Sequence, residues 1–109
     1  MIEGSLSFVP EIDEVIPKDY KIGIYPNPFN PQTCVTFSSM ITGLGSIDIY
    51  DIQGRHICNV THGEIAAGVH TKKWNGFNKY GSKVSSGVYF CRMVVNGKTR
   101  AVARMTLLK

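Results

Sequence analysis

Apolar and polar residues alternate with a period of two along most of the chain beyond residue 21. In the stretch 33–40, for example, Val35 and Phe37 fall on one face. Alternation of this kind is typical of β-strands that bury one face, and no window shows the helical period of an amphipathic helix. We therefore predict about seven short strands, at 22–25, 33–40, 46–50, 55–61, 69–74, 88–95 and 98–108.

The turns between these strands indicate how they pair. Asn96-Gly97 separates the last two apolar runs, and an Asn-Gly pair in that position is the strongest short-range signal for a β-hairpin. Short strands with turn residues about every 8–12 positions are typical of an antiparallel β-sandwich. The positions predicted to face its core are Val35, Phe37, Ile47, Ile49, Ile57, Val60, Trp74, Tyr89, Met93, Met105 and Leu107.

The proline-rich stretch YPNPFNP, residues 25–31, interrupts the alternation in front of the second predicted strand. Proline has no backbone N–H and holds the residue before it in an extended or turn conformation, so this stretch cannot continue a sheet ladder. We expect it to turn the chain over an edge of the sandwich and to protect that edge, with Phe29 as an apolar plug in the core. Asn27 and Asn30 are expected to stabilise the turn through hydrogen bonds to nearby backbone.

Residues 1–21 differ from the rest of the chain. They contain Pro10, Pro17 and most of the acidic residues. This composition predicts a linker or N-terminal arm that is dispensable for folding, in front of a single domain at 22–109. The N-terminus lacks the basic start and apolar block of a signal peptide. We therefore expect either a domain that stays inside the cell or a piece of a longer protein.

Charge is divided unevenly, although the formal net charge is only +4. Residues 1–20 carry five acids and one base, whereas residues 65–109 carry nine bases and no acid. The basic half either solvates the outward faces of strands or forms a surface that meets an anionic partner. Nucleic acid is not predicted as that partner, because the sequence has no helix-turn-helix pattern, zinc finger or aromatic RNA-binding signature.

The residues that could carry chemistry give no candidate active site. Cys34, Cys58 and Cys91 lack metal-ligand spacing and are predicted to be small buried or half-buried strand residues, with one disulfide and a leftover thiol as the alternative. The three histidines are spaced so that no two are expected on adjacent positions of one face. Asp48 and Asp51 would need a cleft to act as an acid/base pair, which a small sandwich rarely supplies. We predict no enzyme, no metal site and no cofactor.

Several stretches, in order, resemble the C-terminal sorting domain of proteins exported by the type IX secretion system of Bacteroidetes-type bacteria. They are YPNPFNP with the following TCVTF, IDIYDIQGR, AAGVHTKKWNG, SSGVYFCRM and the closing ARMTLLK. The P-x-P motif of the family is matched by Pro26 and Pro28, and its G-x-Y motif by Gly87 and Tyr89. The resemblance spans residues 22–109 and implies an immunoglobulin-like form of the predicted β-sandwich. A related immunoglobulin-like domain occurs in flagellar hook-capping proteins.

The resemblance implies a targeting module. In the family, an N-terminal signal takes the protein to the periplasm, and the outer-membrane translocon then recognises the folded C-terminal domain. The attachment machinery leaves the cargo secreted or on the cell surface, with anionic lipopolysaccharide as a further partner. Residues 1–21 would be the linker from an upstream cargo domain absent from this sequence. The implied sorting and partner-binding residues are Pro26, Pro28, Gly87, Tyr89, Arg104, Met105, Leu107, Leu108 and Lys109.

We expect the last strand and the Gly87–Tyr89 strand to form the surface that the secretion machinery reads. A strand at the chain terminus is a plausible sheet edge, whose unpaired backbone accepts a partner strand. Gly87 would allow close backbone approach, and Tyr89 would anchor the strand in the core. Two other classes of function remain open: a binding module for sugar or protein, and a structural subunit that self-assembles through its edge strands.

Overall fold

The computed structural model of the protein describes residues 18–109, so the predicted linker at 1–21 lies almost wholly outside the described residues and stays a prediction. Strands account for the regular structure of the described part, which contains no helix. The strands are β1 (Lys21–Tyr25), β2 (Thr33–Ser39), β3 (Gly43–Asp51), β4 (His56–Ile65), β5 (Gly68–Trp74), β6 (Gly87–Val95) and β7 (Lys98–Leu107). Between residues 18 and 109 there is accordingly no helix that could span a membrane.

The seven strands form two antiparallel sheets that enclose one core. Three strands make a sheet in the order β1-β2-β5, and the other four make a sheet in the order β4-β3-β6-β7. Each sheet buries one face, and apolar side chains recur at every second residue in β2 of the first sheet and in β6 of the second. The predicted immunoglobulin-like antiparallel β-sandwich of about seven strands is confirmed.

The two ends of the sandwich carry different features. The hairpin end contains the Asn96-Gly97 turn between β6 and β7, whose residues have φ of 53° and 76°, as a two-residue hairpin turn requires. The chain enters β1 at this end, where the Tyr20 ring lies 4.8 Å from the guanidinium carbon of Arg100. The proline end contains residues 26–31 and the end of β7, which touch each other.

Most of the predicted core is confirmed. Nine of the eleven predicted positions are buried, and so is the expected plug Phe29, which is 2% exposed. The predictions for Ile57 and Val60 are wrong, because both side chains are only half-buried and pack against the margin of the core. The reason is two irregularities in the pairing of β3 with β4. Each leaves one residue of β4 without a partner, which breaks the alternation and turns Cys58 inward instead.

The cysteines occupy the predicted kind of position. Cys58 and Cys91 are buried, Cys34 is half-buried, and all three are free thiols. Burial raises the pKa of Cys58 to about 11 and that of Cys91 to about 12. Both thiols are therefore protonated at neutral pH and behave as small apolar core residues.

Candidate functional site

The nine residues predicted for sorting meet at the proline end of the sandwich. Residues 26–31 lie against the end of β7, and the start of β6 pairs with the same part of β7 from the other side. Gly87 is opposite Leu107, and Tyr89 is opposite Met105. We call the surface formed by residues 26–31, 85–89 and 104–109 the terminal patch.

Asn27 joins the proline-rich segment to the outer edge of β7. Its side-chain amide donates to the carbonyl oxygen of Arg104 at 3.0 Å, and its side-chain oxygen accepts from the N–H of Thr106 at 3.0 Å. The amide group thus pairs with β7 as the backbone of a neighbouring strand would. The prediction that Asn27 bonds nearby backbone is wrong, since its partners are 77 and 79 residues further along the chain.

Phe29 continues this connection with its backbone. Its N–H donates to the carbonyl oxygen of Thr106, and its carbonyl oxygen accepts from the N–H of Leu108, both at 2.9 Å. Its buried ring lies 5.6 Å from that of Trp74, centroid to centroid, which is a favourable distance for aromatic packing. The proline-rich segment is therefore held to the domain both by the buried ring of Phe29 and by the backbone hydrogen bonds of Phe29 to β7.

Tyr89 anchors β6 beneath the terminal patch. Its ring is 5% exposed and lies edge-on to that of Trp74 at 5.6 Å, and its hydroxyl donates to the carbonyl oxygen of Ser85 at 2.7 Å. At Gly87, by contrast, an added Cβ would meet no described atom within 4 Å. Packing within residues 18–109 therefore does not require a glycine there, but the backbone does, because Gly87 has a φ of 157°, which residues with a side chain rarely adopt.

The terminal patch carries positive charge and a pocket. Arg104 and Lys109 are exposed on it. A pocket of about 270 Å³ opens beside β7. It is lined by Asn30, Pro31, Asn75, Gly76, Phe77, Lys83, Leu107 and Lys109. Two of these residues are cationic and none is acidic, so the local charge favours an anionic group.

The acidic residues of β3, Asp48 and Asp51, lie outside the terminal patch, and both accept hydrogen bonds from neighbouring residues of the domain. Burial alone would raise the pKa of Asp48, but hydrogen bonds from Asn59 and His56 outweigh it and hold the pKa below its ordinary value. The backbone N–H and side chain of Arg55 likewise lower the pKa of Asp51. Both carboxylates are therefore ionised at neutral pH and serve as hydrogen-bond acceptors within the fold.

A larger pocket, formed by residues 85–89 of the patch together with residues 51–53, offers no evident catalytic group. It has a volume of about 400 Å³ and contains Asp51, whose two oxygens accept from Gln53 and Arg55 at 2.8–2.9 Å. Ser86, on its wall, accepts the N–H of Lys109 at 3.1 Å. Within the part of the chain that the structure covers, no three histidine, cysteine, aspartate or glutamate side chains are grouped as a metal site would require.

A family model described as the secretion system C-terminal sorting domain matches residues 23–106. The match contains β2 to β6, most of β1 and β7, and most of the terminal patch. No curated protein matches the chain. The family match confirms the resemblance to sorting domains that the motifs indicate.

Solved structures share the fold. Dimeric latent PorU from Porphyromonas gingivalis is similar with a TM-score of 0.70 and 23% identity, over 82% of this chain and 9% of that chain. PorZ, described as an essential surface component of the type IX secretion system of the same organism, has a TM-score of 0.54 and 25% identity, over 81% of this chain and 11% of that chain. FlgD from Xanthomonas campestris, described in terms of hook capping, has a TM-score of 0.54 and 15% identity, over 84% of this chain and 64% of that chain. The chain thus spans about a tenth of the length of PorU and PorZ.

Proposed function

Because this chain belongs to the family of secretion system C-terminal sorting domains, we propose that it is a non-catalytic signal that directs an attached cargo protein through the type IX secretion system to the cell surface. The observation that carries the proposal is the family match over residues 23–106. The cargo would cross the outer membrane from the periplasm, and the translocon and attachment machinery would recognise this domain in its folded state.

The nine sorting residues divide by exposure into two groups with different roles. The exposed group is Pro26, Pro28, Arg104, Leu108 and Lys109, and the buried group is Tyr89, Met105 and Leu107, with Gly87 between them. Exposed side chains are available to a partner, whereas buried ones hold β6 and β7 against the core. We therefore assign the direct contacts with the machinery to the exposed group and the support of the surface to the buried group.

The exposed cations of the terminal patch favour an anionic partner. Arg104 and Lys109 would attract an acidic surface of the translocon and orient the domain on it, an effect that weakens as salt increases. Anionic lipopolysaccharide is a further partner that the same cations would attract. Both the acidic translocon surface and lipopolysaccharide are negatively charged, so a salt-dependent association is expected with either partner.

An export assay tests the proposal. A reporter with a periplasmic signal is fused in front of the full chain and expressed in a type IX-competent host. The reporter should reach the cell surface, and it should remain in the periplasm of a host that lacks the translocon. The double variant Arg104→Glu with Lys109→Glu should lower the surface fraction several-fold, because both side chains are exposed and their loss leaves the core intact.

The matched control is Lys98→Glu with Lys79→Glu, which changes the net charge equally but lies outside the terminal patch. It should leave export close to that of the unchanged chain. Equal surface fractions in hosts with and without the translocon would contradict the sorting function. Equal loss from both double variants would show that overall charge, and not the terminal patch, is recognised.

A further inference from the structure

The outer face of the four-stranded sheet carries two arginines close together. The strand pairing places Phe90 of β6 opposite Arg104 of β7, and Arg92 opposite Val102. The two arginines are therefore diagonal neighbours on one face, and side chains in such positions have Cβ atoms about 7–8 Å apart. Arg104 is exposed and Arg92 is half-buried. Both guanidinium groups are thus close enough to reach a single ligand bound between them.

The guanidinium group of Arg92 has few partners within the domain. Its carbon lies 4.7 Å from the centre of the Tyr50 ring, and its Nη2 donates to the Tyr50 hydroxyl at 2.6 Å. Its Nε–H is buried and has no acceptor within residues 18–109. A buried donor without an acceptor costs free energy, and most such groups in folded proteins have a partner. The fold alone therefore gives no reason for an arginine at this position.

The acidic residue opposite Arg92 does not pair with it. Asp48 is the partner of Arg92 in the ladder between β3 and β6. Its carboxylate instead accepts hydrogen bonds from His56 at 2.8 Å and from Asn59 at 3.0 Å, both on β4. In the part of the chain that the structure describes, neither Arg92 nor Arg104 forms an ion pair. Both cations can therefore take an anion from outside the domain.

The donors around Arg92 indicate which anion fits. The Tyr50 hydroxyl accepts from Arg92, which leaves its own proton free to donate. Guanidinium groups donate in pairs to the oxygens of carboxylates and phosphates. The two arginines and Tyr50 make three donor groups, which match the three free oxygens of a phosphate monoester better than the two of a carboxylate. Phe90 and Val102 add apolar surface beside them, which suits the carbon body of such a ligand.

We propose that Tyr50, Arg92 and Arg104 form a binding site for a phosphate monoester, such as a phosphorylated sugar, on the outer face of the four-stranded sheet. The inference goes beyond the sorting function and does not depend on it. Arg104 also belongs to the terminal patch, whereas Tyr50 and Arg92 do not. A ligand at this site would therefore lie beside the terminal patch and share one cation with it.

Nuclear magnetic resonance titrations of the full chain test this site. Glucose 1-phosphate, inorganic phosphate and glucose are compared at constant ionic strength and about pH 7.5, where a phosphate monoester is close to doubly charged. Backbone amide signals of Phe90, Arg92 and Arg104 should shift with both phosphates at millimolar concentration and not with glucose. Glucose 1-phosphate should bind a few-fold more tightly than inorganic phosphate, because its sugar ring adds contacts with Phe90 and Val102.

Three variants separate a site with directed donors from a general attraction of charge. Tyr50→Phe retains the ring and should weaken the binding of glucose 1-phosphate about fivefold, because one hydrogen bond is lost. Arg92→Lys retains the charge but lacks the planar pair of donors, and should weaken binding about tenfold. Lys98→Gln is the control, because it removes one exposed cation at the other end of β7. It should bind as tightly as the unchanged chain.

The proposal is overturned if Tyr50→Phe and Arg92→Lys bind glucose 1-phosphate as tightly as Lys98→Gln does. Tyr50→Phe keeps this comparison decisive where Arg92→Lys does not fold, since it deletes only a hydroxyl. Equal binding of acetate would assign the site to any anion, and equal binding of inorganic phosphate would assign it to the free ion, so either result also overturns the monoester. The sorting function is tested separately, because Arg92→Lys should lose phosphate binding and keep export.

Discussion

Replacement of Phe29 by alanine should cost a large part of the stability of the domain. The Phe29 side chain is 2% exposed and packs against Trp74, so its removal leaves a cavity beneath the proline-rich segment. Truncation of a buried phenylalanine costs about 3–5 kcal/mol. The total unfolding free energy of a domain is typically about 5–15 kcal/mol, so the variant should lose more than about 10 °C of thermal stability.

Tyr25→Ala is the matched control, because Tyr25 is an aromatic residue of the same stretch but is 82% exposed. It should change the unfolding free energy by less than about 0.5 kcal/mol. Urea unfolding, followed by the fluorescence of Trp74, measures both variants on one scale. If Phe29→Ala falls within about 1 kcal/mol of Tyr25→Ala, the proline-rich segment is not held by a core plug and the account of the terminal patch is refuted.

Two other substitutions test the body of the sandwich. Gly45→Ala should destabilise the domain by about 1–3 kcal/mol in urea unfolding, because the added Cβ would collide with the backbone oxygen of Val94. Gly23→Ala is the control and should cost less than about 1 kcal/mol, because the nearest atom to an added Cβ there is 3.9 Å away. Equal effects of the two variants would contradict the close approach of Val94 to Gly45. In the folded state the pKa of Asp48 lies below its ordinary value of 3.8. The ionised Asp48 side chain therefore stabilises the fold above about pH 3.8, and this contribution is lost as the pH falls through the folded-state pKa. Asp48→Asn should therefore lose less stability than the unchanged chain between about pH 5 and pH 2, and equal losses would show that the Asp48 hydrogen bonds do not couple to folding.

Local patterning was enough to predict the fold, because a strand that buries one face must alternate, and an Asn-Gly pair adopts the backbone that a hairpin turn needs. It was not enough in β3 and β4. β3 begins at Gly43, before the predicted start at residue 46, and β4 ends at Ile65, beyond the predicted end at residue 61. Glycines interrupt the alternation there, although Gly45 is demanded by the approach of Val94. The extra residues in β4 are likewise set by its partner strand and leave no mark in its own pattern.

The terminal patch shows the same division between local and distant causes. The sequence could predict Phe29 as a plug, because an apolar ring among prolines has few other places to go. It could not predict that Asn27 bonds β7, since the two are brought together only by the complete fold. A side-chain amide has the same donor and acceptor wherever it stands, so its long-range partner is visible only in three dimensions.

The placement of the proline end and the hairpin end has a consequence for whatever precedes this domain. The chain enters at the hairpin end, near Tyr20, whereas the terminal patch is at the other end of β7. From Arg100, beside Tyr20, to Leu107 the strand β7 advances by seven residues, which at about 3.3 Å per residue is roughly 23 Å. The described chain therefore begins about 23 Å away from the far end of β7. A partner that approaches the patch meets the end of the domain opposite to Tyr20, so a single signal of this design could serve cargoes with unrelated structures on the Tyr20 side.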